Sequence, residues 1–214
     1  MSAASALGVF VKLFLLLTPF FVLSVFVTTC SGLEKNQQRR LAIRVAAAVL
    51  TITCVLYLFG ELIFRYLGIT LDAFRIGAGL VLMLNGIDMV RGSGIPGNRA
   101  LASGEDDPAV VPLAIPTTVG PGTIGALLVM GAEAAGFKQM LLEVSAIALA
   151  SVCVGVMLLF SDYVEKVLKK NGLSILTKLT GMYIVALAAQ VIFTGIDGML
   201  NGSIAKLIST LAAK

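Results

Sequence analysis

Residues 110–125 read VVPLAIPTTVGPGTIG, an apolar stretch that is interrupted along its length. The interruptions are three prolines and two glycines, Pro112, Pro116, Pro121, Gly120 and Gly122. Proline has no N–H and clashes with the carbonyl four residues back, so it breaks or kinks a helix. Glycine lets the chain unwind and lets another group approach the backbone closely. The stretch therefore predicts a broken helix inside an apolar span.

The rest of the chain has the composition of a membrane protein. Of its 214 residues, 58% are hydrophobic and 13% are charged, whereas about a quarter of a soluble domain is charged. The net charge of +4 comes from scattered residues, which argues against nucleic acid as a partner. The sequence has no His, the usual proton shuttle near neutral pH and the commonest metal ligand. We therefore expect no catalytic residues, no cofactor and no metal site.

Six stretches are long and apolar enough to cross a lipid bilayer, which needs roughly 20 residues. They are Gly8–Cys30, Leu41–Phe59, Ala73–Val90, Pro108–Gly131, Gln139–Phe160 and Leu179–Leu200. The first stretch has neither a basic region before it nor an obvious cleavage site, so we interpret it as a span and not as a signal peptide. The sequence predicts an all-α integral membrane protein with six transmembrane helices.

The two halves of the chain look related. A shift of 102 residues places Pro19 on Pro121 and Gly79 on Gly181, and the first three stretches on the last three. Because each half has an odd number of spans, the second half must enter the membrane from the opposite side. We therefore predict two inverted three-helix repeats with broken first and fourth helices. The first repeat is predicted at residues 1–90 and the second at residues 108–214. An exposed Gly-rich linker at residues 91–107 joins them.

The charged residues of the short loops predict an orientation. Lys and Arg are about twice as frequent in loops one, three and five as on the opposite side, and such residues face the cytoplasm. We expect both termini outside the cytoplasm.

The candidate binding site lies where the first and fourth spans are interrupted. A broken helix presents N–H groups and a positive dipole end that suit a carboxylate, while nearby carbonyls suit an ammonium group. A zwitterionic amino acid carries both groups. The candidate substrate-binding residues are Thr18, Pro19, Phe20, Thr117, Thr118, Gly120, Pro121, Gly122 and Thr123. The alternative is a merely kinked helix whose hydroxyls cap the freed carbonyls.

Three further polar residues lie inside spans and are candidates for a supporting role. Ionisable groups at membrane depth are functional candidates, so Asp88 on the third span is the first candidate for coupling protons. We expect Asn85 and Gln190 to form hydrogen bonds between helices. The sequence does not decide whether the coupling ion is a proton or sodium.

The run at residues 110–125, together with LDAFRIGAG at 71–79 and Gly181, Gln190 and Gly195-Ile196, resembles the MarC family. This family of bacterial and archaeal inner-membrane proteins includes the SnatA transporters of small neutral amino acids. The resemblance covers nearly the whole chain and implies two inverted halves, an inner-membrane location and translocation of glycine, alanine and similar amino acids. This chain has Thr18-Pro19-Phe20 where the family usually has Asn-Pro and a small residue.

The leading hypothesis is a secondary transporter that moves small neutral amino acids by alternating access, with the substrate held by the broken helices at the repeat interface. A channel or an accessory membrane subunit without a substrate cycle is the alternative. A membrane thiol-disulfide carrier is disfavoured because the fourth span has no Cys, and we expect the chain not to be an enzyme. Six spans can act alone or as a homo-oligomer.

Overall fold

The structure is a computed structural model that describes residues 3–30, 33–92, 114, 118–134 and 136–212. These residues are almost entirely helical and contain no strand. The helices are α1 (Ala3–Leu16), α2 (Pro19–Thr29), α3 (Lys35–Leu67), α4 (Leu71–Arg91), α5 (Pro121–Glu133), α6 (Phe137–Leu159) and α7 (Ser161–Ala212).

Five candidate membrane spans lie in the described part of the chain. They are Leu7–Thr29, Lys35–Gly60, Leu71–Arg91, Phe137–Leu159 and Asn171–Asn201. They coincide, within a few residues at most ends, with the first, second, third, fifth and sixth predicted stretches. The fourth predicted stretch lies partly outside the described residues, and α5 forms its second half. The all-helical membrane architecture is confirmed.

The fifth predicted loop is helical. The sequence pattern treats the charged segment before the last span as a loop, but α7 already begins at Ser161, directly after α6. Lys, Glu and Leu are good helix formers, so a polar segment built from them continues as helix once it leaves the apolar region. A kink at Lys169, where φ is 53°, separates this segment from the apolar part of α7.

The contact between α4 and α7 depends on glycine. A Cβ atom at Gly86 would lie 2.9 Å from the carbonyl oxygen of Gly181, and one at Gly79 would lie 3.1 Å from that of Ala188. Small residues allow such close approach of two helices within a membrane. Because the residue numbers run in opposite directions along the two helices, α4 and α7 are antiparallel. Gly79 and Gly181 therefore serve the packing of α4 on α7.

Most of the extensive helix contacts in the described residues join the two halves of the chain. The helix α3 packs on α5 and α6, α4 packs on α5 and α7, α1 packs on α6, and α2 packs on α7. The larger core cluster lies among α1, α2, α3 and α6, and a smaller one joins Leu16, Leu82 and Ile184. Residues 3–91 and 121–212 therefore interlock, and both halves surround the point where α1 ends.

Candidate functional site

The chain is interrupted near the middle of the first candidate span. The helix α1 ends at Leu16, and α2 begins with Pro19 at its first position. Between them, Thr18 has φ 49° and ψ 52°, a left-handed conformation that is uncommon for a residue with a side chain. The first N–H groups of α2, those of Phe20 and Phe21, have no carbonyl four residues back within their own helix. The interruption leaves a helix N terminus close to mid-membrane.

A second helix begins in the same way in the other half. The helix α5 starts with Pro121, which is 102 residues after Pro19, and the extended residue Gly120 precedes it. Proline is tolerated at this position because its missing N–H would have had no partner in the helix. The N–H groups of Gly122 and Thr123 are the first in α5, so they have no carbonyl partner within their own helix.

The end of α1 and the beginning of α5 meet. The hydroxyl of Thr123 donates a hydrogen bond of 3.1 Å to the carbonyl oxygen of Leu16. Both residues are buried, and they line a cavity of about 10 Å³ together with Leu13, Leu17, Thr53, Leu127 and Ile147. A space of this size holds about one water molecule. The junction is therefore closed in this conformation.

The predicted site residues divide into those at the two helix starts and those elsewhere. Thr18, Pro19 and Phe20 lie at the start of α2, whereas Gly120, Pro121, Gly122 and Thr123 lie at the start of α5. Thr118 is buried just before α5. Thr117, like Pro112 and Pro116, lies outside the described residues.

Gly122 serves helix packing, since a Cβ atom there would lie 2.7 Å from the Cα of Leu82 on α4.

None of the three supporting polar residues is buried. Asp88 is exposed near the end of α4, Gln190 is exposed on α7, and Asn85 is half-buried on α4. The buried face of α4 carries Leu82, Gly86 and Met89 instead.

A buried carboxyl group lies between α3 and α6. Glu143 is 8% exposed, and its Oε2 accepts a hydrogen bond of 2.7 Å from the hydroxyl of Tyr57. The Nε2 of Gln139 donates a bond of 2.9 Å to the other oxygen. The partner Tyr57 carries no signal in the sequence, because an isolated Tyr in an apolar span is usual.

A second polar cluster links α4 to the end of α5. The Nε of Arg75 lies 2.9 Å from Oε1 of Glu133, and the guanidinium also pairs with Asp72. Gly195 and Gly198 of α7 pack directly against Asp72, so the cluster also contacts α7. Its charged residues lie at the helix ends opposite to the basic loops.

A cavity of about 320 Å³ lies between α2, the end of α4 and the first part of α7. Phe21, in the first turn of α2, is one of its lining residues, and Glu165 and Lys178 are its charged ones. Apolar side chains form much of its wall, and four hydroxyls add polar groups, those of Ser24, Thr28, Ser174 and Thr177. Its volume is at the low end of the range of ligand pockets, which suits a small ligand.

The geometry provides donors and acceptors for a small polar molecule. Two helix N termini offer N–H groups to an anion, and the carbonyl groups that end α1 can accept from a cation. The three cysteines are free, and they lie on α3, α6 and the end of α2. This distribution suits small hydrophobic residues within or beside apolar helices.

Comparison with known proteins identifies the family. Residues 4–200 match the MarC family of integral membrane proteins. The UPF0056 membrane protein MJ1677 of Methanocaldococcus jannaschii is 36% identical over 195 residues, which cover 89% of this chain and 95% of the relative. A UPF0056 membrane protein of Aquifex aeolicus is 28% identical over 197 residues, 90% of this chain and 92% of the relative.

The UPF0056 inner membrane protein YhgN of Escherichia coli K12 is 29% identical over 192 residues, 90% of this chain and 96% of the relative. No solved structure matches the chain significantly. The matches extend over nearly the whole sequence and include both helix starts at Pro19 and Pro121. The chain belongs to the MarC family of integral membrane proteins.

Proposed function

We propose that this protein is a secondary transporter that moves small neutral amino acids, glycine and alanine first, across the inner membrane by alternating access. The substrate would be held where α1 ends and α2 and α5 begin. Helix N termini would bind its carboxylate, and the carbonyls at the end of α1 would bind its ammonium group. A small side chain would fit because the junction is tightly packed.

The observation that carries the proposal is the hydrogen bond from Thr123 to the carbonyl of Leu16. It joins two helix ends that come from different halves of the chain, at a depth where unsatisfied backbone groups are costly. A hydroxyl that caps a carbonyl in this way can be displaced by the ammonium group of a substrate. The groups that pair with each other in the closed junction are thus the groups that would bind an amino acid.

The helix contacts support an inverted repeat as the frame of the transporter. The pair Gly79 and Ala188 becomes the pair Gly181 and Gly86 when each residue is exchanged for the one 102 positions away. Both pairs are close contacts between the antiparallel helices α4 and α7. Such an exchange is expected for two halves related by a twofold axis in the membrane plane.

The coupling ion is a proton or sodium in this proposal. Glu143 joins Asp88 as a candidate, because it is a buried carboxyl group on a membrane span. We propose that the basic loops face the cytoplasm and that both termini lie outside it. The transporter works alone or as a homo-oligomer.

Binding to the purified protein in detergent tests the proposal. Glycine and alanine should raise the unfolding temperature, whereas leucine and a sugar should not. A ligand at 100 times its Kd stabilises a protein by about 2.7 kcal/mol, which a thermal melt resolves easily. The site variant is Thr123→Val, because a bulky residue at Gly122 would collide with Leu82 and disturb the fold.

Transport into proteoliposomes separates the proposal from its alternative. A transporter shows glycine uptake that saturates and is accelerated by glycine on the other side. Flux that rises linearly with concentration would indicate a channel, and the absence of flux and binding would favour an accessory subunit. Replacing all three cysteines should leave transport intact, because only a thiol-disulfide carrier would need them. Proton and sodium gradients, applied separately, identify the coupling ion.

A further inference from the structure

The cavity between α2, α4 and α7 leads from the helix ends toward the proposed substrate site. Ser174 and Lys178, which line its outer part, are exposed, so the cavity is open to its surroundings. Phe21, in the first turn of α2, also lines it. The cavity therefore extends from the side of the basic loops to the first turn of α2.

One hydroxyl in the cavity wall is left without a hydrogen bond. The Oγ1 atom of Thr177 is buried and has no partner among the described residues. By contrast, Thr180 and Thr194 on the same helix donate to the carbonyl four residues back, as hydroxyls in helices commonly do. A buried polar group without a partner is unfavourable. Because the Oγ1 atom has almost no accessible surface in this conformation, the side chain must rotate toward the cavity before a polar ligand there can pair with it.

At the equivalent place in the other half, the described residues of the two helices pack directly together. The shift of 102 residues relates Ser174 to Asp72 and Thr177 to Arg75, and relates the helix pair α2 and α7 to the pair α5 and α4. There, Gly122 packs on Leu82, Gly125 packs on Ala78, and the Arg75 cluster ties the ends of α4 and α5 together. The helices α4 and α5 thus pack directly on each other, whereas a cavity lies between α2 and α7.

The helices α2 and α5 differ in residue size at equivalent positions. Gly122 and Gly125 allow α5 to lie directly against α4. Their counterparts in α2 are Phe20 and Leu23, which have large side chains. The equivalent positions of the two helices therefore differ in residue volume.

We infer that this cavity is the access site through which a small zwitterionic amino acid reaches the interrupted first span from the side of the basic loops. Thr177 is a binding residue of this site, and the Arg75 cluster closes the equivalent site on the other side. Lys178 and Glu165 provide opposite charges along the outer wall for the carboxylate and the ammonium group. The inference rests on the proposed function and specifies the path of its substrate.

Thiol labelling tests the inference on the full chain. In a variant without Cys30, Cys54 and Cys153, Ser174→Cys should react with a membrane-impermeant thiol reagent. The residue next to it provides the matched control, since Ile175 lies at the same depth but outside the cavity and is 59% exposed. Glycine at ten times its Kd should slow labelling of Ser174→Cys about tenfold through occupancy and leave Ile175→Cys unchanged.

Affinity provides the second measurement. Thr177→Val removes the hydroxyl but keeps the shape, and we expect glycine to bind about 2–10 times more weakly, the equivalent of one hydrogen bond. If glycine binds the wild-type protein but neither protects Ser174→Cys nor distinguishes Thr177→Val, the access site is overturned while the proposed function stands. If glycine and alanine do not bind the wild type, the proposed function fails and the inference fails with it.

Discussion

The hydroxyl of Thr123 and the carbonyl of Leu16 form a hydrogen bond of 3.1 Å across 107 positions of the chain. In a continuous first span, this carbonyl would accept from the N–H of Phe20. The interruption at Thr18 frees it, and a residue from the first turn of α5 takes the place of the missing donor. The two halves of the protein are joined at the point where the first span is broken.

Replacing Thr123 by Val should weaken both the fold and the site. The variant leaves the Leu16 carbonyl buried without its hydroxyl donor, so we expect a loss of about 1–3 kcal/mol in unfolding free energy and weaker glycine binding. Thermal melts in detergent with and without glycine measure both effects. The control is Thr51→Val, whose exposed hydroxyl binds only the carbonyl of Ala47. Equal effects of the two variants would contradict the assigned role.

Adding a methyl group at two glycines of α4 should have opposite results. In Gly86→Ala the new Cβ would meet the Gly181 carbonyl oxygen at 2.9 Å and a Val185 methyl at 2.8 Å. We expect a loss of about 1–3 kcal/mol from this overpacking. Nothing lies within 4 Å of a Cβ at Gly77, so Gly77→Ala should be neutral or stabilise the helix by up to about 1 kcal/mol. A stable Gly86→Ala variant would argue against the close contact of α4 with α7.

Removing the ion pair between α4 and α5 should affect transport more than stability. Because Arg75 and Glu133 are partly exposed, we expect Arg75→Gln and Glu133→Gln to lower stability by less than about 1 kcal/mol each. Both variants should change glycine exchange in proteoliposomes, and the double variant should change it no further, because one interaction is lost in all three. Lys138→Gln, an exposed charge on the same side, is the control. Additive effects would show that the two residues act separately.

The buried pair of Tyr57 and Glu143 should show energetic coupling. A double-mutant cycle with Tyr57→Phe and Glu143→Gln should give about 0.6–2 kcal/mol, the range of hydrogen bonds between membrane helices. Unfolding in detergent provides the four stabilities. The comparison cycle pairs Tyr57→Phe with Ser145→Ala, whose exposed hydroxyl binds the Leu142 carbonyl. Coupling no larger than in that comparison would mean that the contact contributes nothing to the packing of α3 on α6.

Reducing the side chain at Phe20 should let α2 approach α7 and close the cavity. In Phe20→Ala we expect slower labelling of Ser174→Cys in the cysteine-free background, because the helix pair becomes more like α4 and α5. The control is Phe193→Ala on α7, since Phe193 is 71% exposed. Unchanged labelling in Phe20→Ala would show that residue volume at this position does not keep the cavity open.

The amino-acid sequence by itself determined the membrane-spanning helices and the positions where two helices begin. Both depend on local chemistry, since hydropathy over about 20 residues defines a span and a proline after a flexible residue defines a helix start. The starts of α2 and α5 are therefore at Pro19 and Pro121, as the proline pattern indicates. The helical form of the charged segment after Ser161 was missed, because polar composition alone does not distinguish a surface helix from a loop.

The tertiary structure alone decided which distant groups meet. The bond from Thr123 to Leu16, the pair of Tyr57 and Glu143, and the packing of Gly86 on Gly181 join residues far apart in the chain. No local pattern encodes these contacts, because they depend on the register in which one helix lies against another. The cavity beside Thr177 has the same origin, because its wall comes from three helices, α2, α4 and α7. Local chemistry sets where helices start, and the fit of side-chain volumes between helices sets what the site can hold.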